Sequence, residues 1–347
     1  MASRLEWLRE RTNGYTVTGR QFVYFAYAAL VALTLIVLTG AAVRLSGSGL
    51  GCPTWPKCYG NVYPPLNSHA LIEFSNRVLT GPVSIAAGLA WVAALRRRPY
   101  RRDLVWLAAL LPLGVIGQAV LGGFTVKGEL DYGWVMAHFA LSMLILVAAV
   151  ALVWRAKHEP DGAPSTGERS VADTTAPATD RVLVWSVRAL VALGALTIFA
   201  GTAATAAGPH AGGAPGQKIN RLSFDGRGTM DFVIHRHAEI ALAFSLAAVA
   251  AWWLARRRSA GAAVRRALTV MCVLLALQGA VGLDQYETHL PTELVWVHVC
   301  LASAAWLATI WAACAACRLA PRTVRAEAQR PVGGSLVARQ PIKFPGN

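Results

Sequence analysis

Eight apolar runs, each long enough to cross a lipid bilayer, constrain this chain most: residues 22–43, 70–95, 104–124, 133–154, 182–204, 230–254, 264–283 and 291–317. A bilayer core is spanned by roughly 20 apolar helical residues. Hydrocarbon offers the backbone no water, so runs of this length must satisfy their own N–H and C=O groups, as helices. The chain is 55% hydrophobic and 15% charged, which places it among membrane proteins. The polar stretch 1–20 carries Arg4, Arg9, Arg11 and Arg20 and shows no small-residue cleavage site. The first apolar run therefore reads as a span and not as a removable signal.

The net charge of +15 would suit a nucleic-acid partner, but its distribution argues against one. Of the 33 Lys and Arg residues, 25 lie in the N-terminus, the 96–102 turn, segments 155–188 and 256–266, and the tail after 317. Counted by even-numbered crossings, these segments share one side. That is the positive-inside pattern, so the expectation is a multi-pass protein of the cell membrane with both termini cytoplasmic. Arg96–Arg98 and Arg256–Arg258 then end helices at an anionic leaflet.

An internal repeat organises the rest. Gln118 is followed twenty residues later by His138, and Gln278 twenty residues later by His298. The expected fold is an all-α membrane protein of eight transmembrane helices, built as two pseudo-symmetric four-helix bundles. Residues 1–21 form a cytoplasmic N-terminus, 22–154 the first half and 182–317 the second. Segment 155–181, rich in Ala, Pro and Thr, reads as a flexible linker, and 318–347 as a basic disordered tail. The start of the second helix (Glu73-Phe74-Ser75-Asn76-Arg77) echoes that of the sixth (Asp231 to Arg236). This register sets Asn76 opposite His235 and Arg77 opposite Arg236.

Ionisable side chains inside a membrane are costly and mark functional sites. Asn76, His138, His235 and His298 each lie five to eight residues into helices that run in one direction, a depth of roughly 10 Å. His235 and His298 come from alternate helices of one half, as two axial ligands on a line through a haem iron require. Arg77 and Arg236 would lie nearer the interface, in reach of haem propionates. The plain alternative for a lone histidine is a hydrogen bond to a neighbouring helix. Three at one depth, two of them related by a repeat, weigh against it. His237 is rotated about 200° from His235 and is given a structural role. His69 is placed at a helix mouth. His158 and His210 are assigned no role, and His289 stays a marginal candidate. A disulfide between Cys52 and Cys58, in a loop with two prolines on the oxidising side, is sterically feasible. Cys272, Cys300, Cys314 and Cys317 read as small apolar helix residues.

The stretch from Thr39 to Pro56 (TGAAVRLSGSGLGCPTWP) resembles the first-loop signature of haem A synthases. Ile72 to Arg77, Gln118 to Thr125 and the two late histidines are similar to further parts of that family's pattern. The likeness runs across all eight helices and leaves out the linker and the tails. The linker, the arginine-rich turns and Asn76 resemble actinobacterial members.

The resemblance implies oxidation of the C8 methyl of haem O to a formyl group by successive hydroxylations, water supplying the final oxygen. It implies a permanent haem b in the second half, on His235 and His298 with Arg236 beside it. It implies the substrate haem O in the first half, bound through His138, Asn76 and Arg77. Glu73 matches an acidic residue needed for activity and is expected to handle protons; an i,i+4 ion pair with Arg77 is the structural alternative. Expected partners are a haem O synthase upstream and cytochrome oxidase downstream, and a homo-oligomer stays open. Two departures stand out. Asn76 replaces a histidine common in the family, and the loop Gly208–Gly213 lacks the second cysteine pair of some relatives. Three other classes compete: a di-haem electron-transfer protein of the quinol-oxidising type, a transporter with repeated halves and a haem-free assembly protein.

Overall fold

A computed structural model describes residues 15–158, 181–224 and 228–316. Eight helices carry the chain: α1 Gly19–Leu45, α2 Ser68–Arg96, α3 Arg102–Lys127, α4 Tyr132–Lys157, α5 Arg181–Ala207, α6 Thr229–Arg257, α7 Ala262–Glu287 and α8 Thr292–Ala316. All eight are long and apolar enough to cross a membrane. All but α8, which lies within its apolar run, extend a few residues beyond theirs at one end or both, and polar side chains cap the starts of α1, α2 and α4. Thr18 and Gln21 close a capping box on α1, Asn67 accepts from Ala70 N at 2.8 Å, and Asp131 accepts from Gly133 N at 2.9 Å. Such caps satisfy amides that have no carbonyl one turn back. A short parallel pair, β1 Val17–Thr18 with β2 Arg97–Arg98, ties the start of α1 to the end of α2. Of the expected linker 155–181, residues 159–180 lie outside the described residues, as do residues 1–14, Cys317 and the tail.

Two rings of four helices result. α1, α2, α3 and α4 pack in order, and α4 closes on α1. α5, α6, α7 and α8 repeat the arrangement. In each ring the helices that do not touch side by side are diagonal partners: α2 with α4, and α6 with α8. The first ring buries an alanine-rich interior that includes Ala26, Ala29, Ala87, Ala90, Ala94, Ala108 and Ala149. Small residues let helix backbones approach where lipid gives helices no hydrophobic reason to associate. Large apolar side chains such as Ile85, Leu113, Leu144, Phe199 and Leu246 point outward instead, as a lipid-facing surface requires.

α8 joins the two rings, packing on α4 and α1. Trp306 Nε1 donates to the Met143 carbonyl at 3.1 Å, and Trp296 Nε1 donates to the Leu38 carbonyl at 3.1 Å. Loops close the same seam outside the bundles. Arg44 Nε donates to the His210 carbonyl at 3.1 Å, and Gly49 N donates to the Gly212 carbonyl at 2.8 Å. A Cβ on Gly49 would lie 2.9 Å from that same carbonyl oxygen, so the approach of the two loops requires glycine. His210, given no role from sequence, bonds the Leu290 carbonyl through Nε2 at 2.8 Å and brings a third loop into the clamp.

Spacing within the first ring is equally tight. A Cβ on Gly114 of α3 would lie 2.5 Å from Ile145 Cγ1 of α4. Gly114→Ala is expected to cost about 1–3 kcal/mol through overpacking, read as a lowered thermal unfolding midpoint in detergent. Gly88→Ala, where nothing lies within 4 Å of the added carbon, should leave that midpoint unchanged or slightly raised.

Candidate functional site

The loop between α1 and α2 is built on α2. Cys52 and Cys58 form a disulfide. Both are fully buried, packed with Ala70 and Phe74. Glu73, 6% exposed, accepts from Cys52 N through Oε2 at 2.6 Å. Its other oxygen pairs with Arg77 one turn on, through Nε at 3.1 Å and also through Nη2. Arg77 in turn donates to the carbonyls of Cys52 and Thr54, each at 2.9 Å. One carboxylate and one guanidinium thus hold the cysteine loop at Cys52 and Thr54. The i,i+4 pair considered from sequence is present. The further bonds of Arg77 to the loop carbonyls are the part that the sequence did not suggest. Gly51 makes room for this docking, since a Cβ there would lie 2.2 Å from the His69 carbonyl oxygen. His69 itself is held by Ser48, Oγ to Nδ1 at 2.9 Å. Trp55, at the tip of the loop, lies over Gly123 of α3.

Beneath the loop stand the polar residues of the first ring. Gln118 Nε2 donates to the His138 carbonyl at 3.0 Å and to Ser142 Oγ at 2.7 Å, fastening α3 to α4. His138 Cε1 would lie 3.5 Å from a Cβ on Gly122. Across the ring on α2, Asn76 Oδ1 accepts from Thr39 Oγ1 at 2.7 Å, and Gly40 faces its amide nitrogen.

The second ring repeats the plan, with one difference from the sequence expectation. α2 and α6 are both 29 residues long, and Asn76 and His237 are each ninth in their helix. His138 and His298 are each seventh in α4 and α8. The structural counterpart of Asn76 is therefore His237, not His235. The His237 and His298 rings meet with centroids 6.3 Å apart in an edge arrangement. His237 Nδ1 donates to the Thr197 carbonyl at 3.1 Å, which turns Nε2 away from that bond. Gly201 and Gly282 lie against the two rings, each 3.1 Å from an imidazole Cε1 if given a Cβ. His235 instead points outward. It is exposed, its Nδ1 bonds its own helix at the Asp231 carbonyl, 2.7 Å away, and its ring neighbours Tyr286. Arg236 is exposed too and pairs with Glu239 at 2.6 Å.

The sequence reading sets His235 opposite Asn76, whereas the structure sets His237 there; the two differ by a two-residue shift, which turns a side chain about 200° along a helix. Glycine spacing follows the structural register. Thirty-six residues separate Gly40 from Asn76 and Gly201 from His237, and sixteen separate Gly122 from His138 and Gly282 from His298.

Several polar atoms in these rings are buried and have no partner among the described residues: His138 Nδ1 and Gln118 Oε1 in the first, His298 Nδ1, Gln278 Oε1 and Gln285 Oε1 in the second. Buried polar atoms are rarely left so without a ligand or water to meet them. Glycines flank the imidazoles, tightly at His237 and His298 and in ordinary contact at His138. Among the described residues no group of three or more His, Cys, Asp or Glu side chains converges. A bare metal ion wants more protein ligands than a facing pair supplies, whereas a haem brings four nitrogens of its own and needs axial ligands alone. The residues fit a haem.

The chain matches the family model described as "Cytochrome oxidase assembly protein", COX15-CtaA, over residues 23–310, all eight helices. The chain belongs to this family. Among similar proteins, one named heme A synthase from Lysinibacillus sphaericus is 37% identical over 137 residues, 39% of this chain and 44% of that protein. Another of that name, from Shewanella oneidensis, is 25% identical over 311 residues, 80% of this chain and 91% of that protein. A third, from Geobacillus thermodenitrificans, is 31% identical over 159 residues, 44% of this chain and 49% of that protein. The first and third matches thus span less than half of each relative. The resemblance drawn from the first-loop motif agrees with these matches.

Removing the loop's anchor has a measurable consequence. Glu73→Ala leaves Arg77 without its carboxylate, and breaking a buried pair costs about 3 kcal/mol. The variant is expected to unfold at lower temperature. Its Cys52–Cys58 bond should also be reduced faster by a water-soluble thiol, followed as a mass shift after alkylation.

Proposed function

We propose that this chain is a haem A synthase, converting the C8 methyl of haem O to a formyl group by successive hydroxylations with oxygen drawn from water. The observation that carries the reading is the asymmetry between two matched sites. In the second ring two imidazoles, His237 and His298, face each other; in the first an amide, Asn76, stands where His237 stands. A pair of imidazoles suits a resident cofactor. One imidazole, His138, opposite a poor iron ligand suits a haem that must arrive, react and leave. The relatives named heme A synthase and the cytochrome oxidase assembly description of the family support this.

Under this proposal His237 and His298 hold haem b, replacing the pair His235 and His298 expected from sequence. Bound there, haem b would supply one-electron redox chemistry, passing the electrons that leave the methyl group one at a time to an external electron acceptor. The Nδ1 bond from His237 to Thr197 fixes that ring's orientation and leaves Nε2 to the iron. His138 positions the substrate, with Gln118 holding the α4 backbone at that residue. Asn76, fixed by Thr39, presents an amide across from it.

Glu73 has a double part in this proposal. Its carboxylate fixes the disulfide loop over the substrate ring, one helical turn from Asn76, and there it takes up or relays protons released by oxidation. Buried acids placed so serve as general bases. Arg77 serves substrate binding by holding the loop. Arg236 keeps an interfacial place beside the haem b site. The first ring is then the substrate half and the second the cofactor half. The arginine-rich helix ends face the cytoplasm of a cell-membrane protein. A haem O synthase supplies the substrate and cytochrome oxidase receives the product.

Haem extraction from purified protein coexpressed with a haem O synthase tests this reading. Reverse-phase separation and mass spectrometry should find haem b together with haem A or its hydroxylated precursor. Haem b in two equivalents, with haem O untouched, would instead indicate a di-haem electron carrier. His237→Ala and His298→Ala should each lose haem b from the purified protein, and His235→Ala should retain it. His138→Ala should keep haem b and stop product formation. Retention of haem b in the His237 variant together with loss in the His235 variant would reverse the ligand assignment.

A further inference from the structure

The arginine-rich end of the second ring holds a cavity that the chemistry above does not use. Its volume is about 650 Å³, and Arg256, Ala262, Arg265, Arg266, Thr269 and Val270 line it. Arg256 comes from the last turn of α6 and the others from the first turns of α7. The helix start there is unusually bare. Its N-cap is Gly261, which makes no side-chain cap, and the first turn of α7 contains no acidic residue. The free amides and the helix dipole together favour an anion at such a terminus.

Three guanidinium groups surround it. Among the described residues, no carboxylate pairs with Arg256, Arg265 or Arg266. Arg256 is nonetheless held in place, because its guanidinium lies 4.5 Å over the ring of Trp252. Trp252 is fixed in turn by its Nε1 bond to Thr269 Oγ1 at 2.9 Å. The cationic wall is therefore built by contacts between α6 and α7.

Below the cavity the surface turns apolar. Val270, Val273 and Leu277 of α7 are each about half exposed, at 52%, 54% and 50%. Spaced at i, i+3 and i+7, they form one stripe running from the cavity toward the middle of the membrane. On the other side of α7 a second cavity of about 300 Å³ shares Arg266 and Val270 and adds Lys157 and Trp311. Cations at the helix end, indoles at interfacial depth and an apolar stripe below are the features of a lipid in order: phosphate, glycerol and acyl chain.

We infer that this cavity is a binding site for an anionic glycerophospholipid, its phosphate held by Arg256, Arg265, Arg266 and the first-turn amides of α7, its acyl chain lying on Val270, Val273 and Leu277. The site does not depend on the redox reading. A free phosphate would use the same cationic wall and leave the stripe untouched, which separates the two sources.

Native mass spectrometry of the full-length protein in non-ionic detergent tests this, titrating phosphatidylglycerol or phosphatidylcholine of identical acyl chains. Phosphatidylglycerol should bind at least roughly tenfold more tightly. Replacing Arg256, Arg265 and Arg266 together by Gln should weaken it at least about tenfold, and Arg256→Gln alone about fivefold, at roughly 1 kcal/mol per basic residue. The single variant guards against a triple variant that fails to fold. A charge-matched control in the first ring, with Arg20, Arg98 and Arg102 replaced by Gln, should stay within about twofold of the parent. Equal affinity for the two lipids, or an equal loss in the control, would overturn the site. Displacement of phosphatidylglycerol by equimolar inorganic phosphate would also overturn it, in favour of a free-anion pocket.

Discussion

Inside hydrocarbon a polar atom has no water to turn to, and the rest of this structure follows from that constraint. Each polar side chain placed within the apolar helices must find a partner in the protein or wait for a ligand. Thr39 and Asn76 satisfy one another, Gln118 reaches the His138 carbonyl and Ser142, and His237 reaches the Thr197 carbonyl. Among the described residues of these helices, what is left over is a few atoms on the same two helix pairs: ring nitrogens of His138 and His298 and the amide oxygens of nearby glutamines. The pattern of unmet polarity outlines a pair of sites with no reference to sequence likeness.

Glycine turns that pattern into space. A Cβ on Gly201 or Gly282 would press on an imidazole at 3.1 Å, while one on Gly122 or Gly40 would sit in ordinary contact with His138 and Asn76, at 3.5 and 3.8 Å. In a helix interior glycine costs roughly 1 kcal/mol relative to alanine. At Gly201 and Gly282, room beside a ring is the reason for it. The repeat thus preserves a cradle in both halves and varies the residue that faces into it, histidine in one and asparagine in the other.

How much of this could be read from sequence depended on the period of the signal. The eight spans, the duplication and the Gln118–His138 and Gln278–His298 pairs were legible, because length and long-range spacing survive small errors of register. The Cys52–Cys58 pair was legible as well, since two cysteines flanking prolines in a short loop have few other uses. Between His235 and His237 the sequence reading takes the first and the proposal from the structure takes the second, a difference of helix phase alone that no long-range spacing addresses. The double grip of Arg77 on Cys52 and Thr54 was also hidden. It joins a helix to a loop whose path no local pattern specifies, and the charge at 77 alone suggested a propionate partner.

The seam between the rings bears on the order in which the chain can be finished. Trp296 and Trp306, which donate to carbonyls of α1 and α4, both belong to α8, the last of the described helices to be synthesised. Domains generally form in the order of translation, so the first ring enters the membrane long before these donors exist. Until α8 arrives, the first ring has an unfilled flank at Leu38 and Met143. A nascent chain stalled before α8 would present an incomplete surface, with the packing of α4 on α5 and the bond from Arg44 to the His210 carbonyl left to join the halves in the interval.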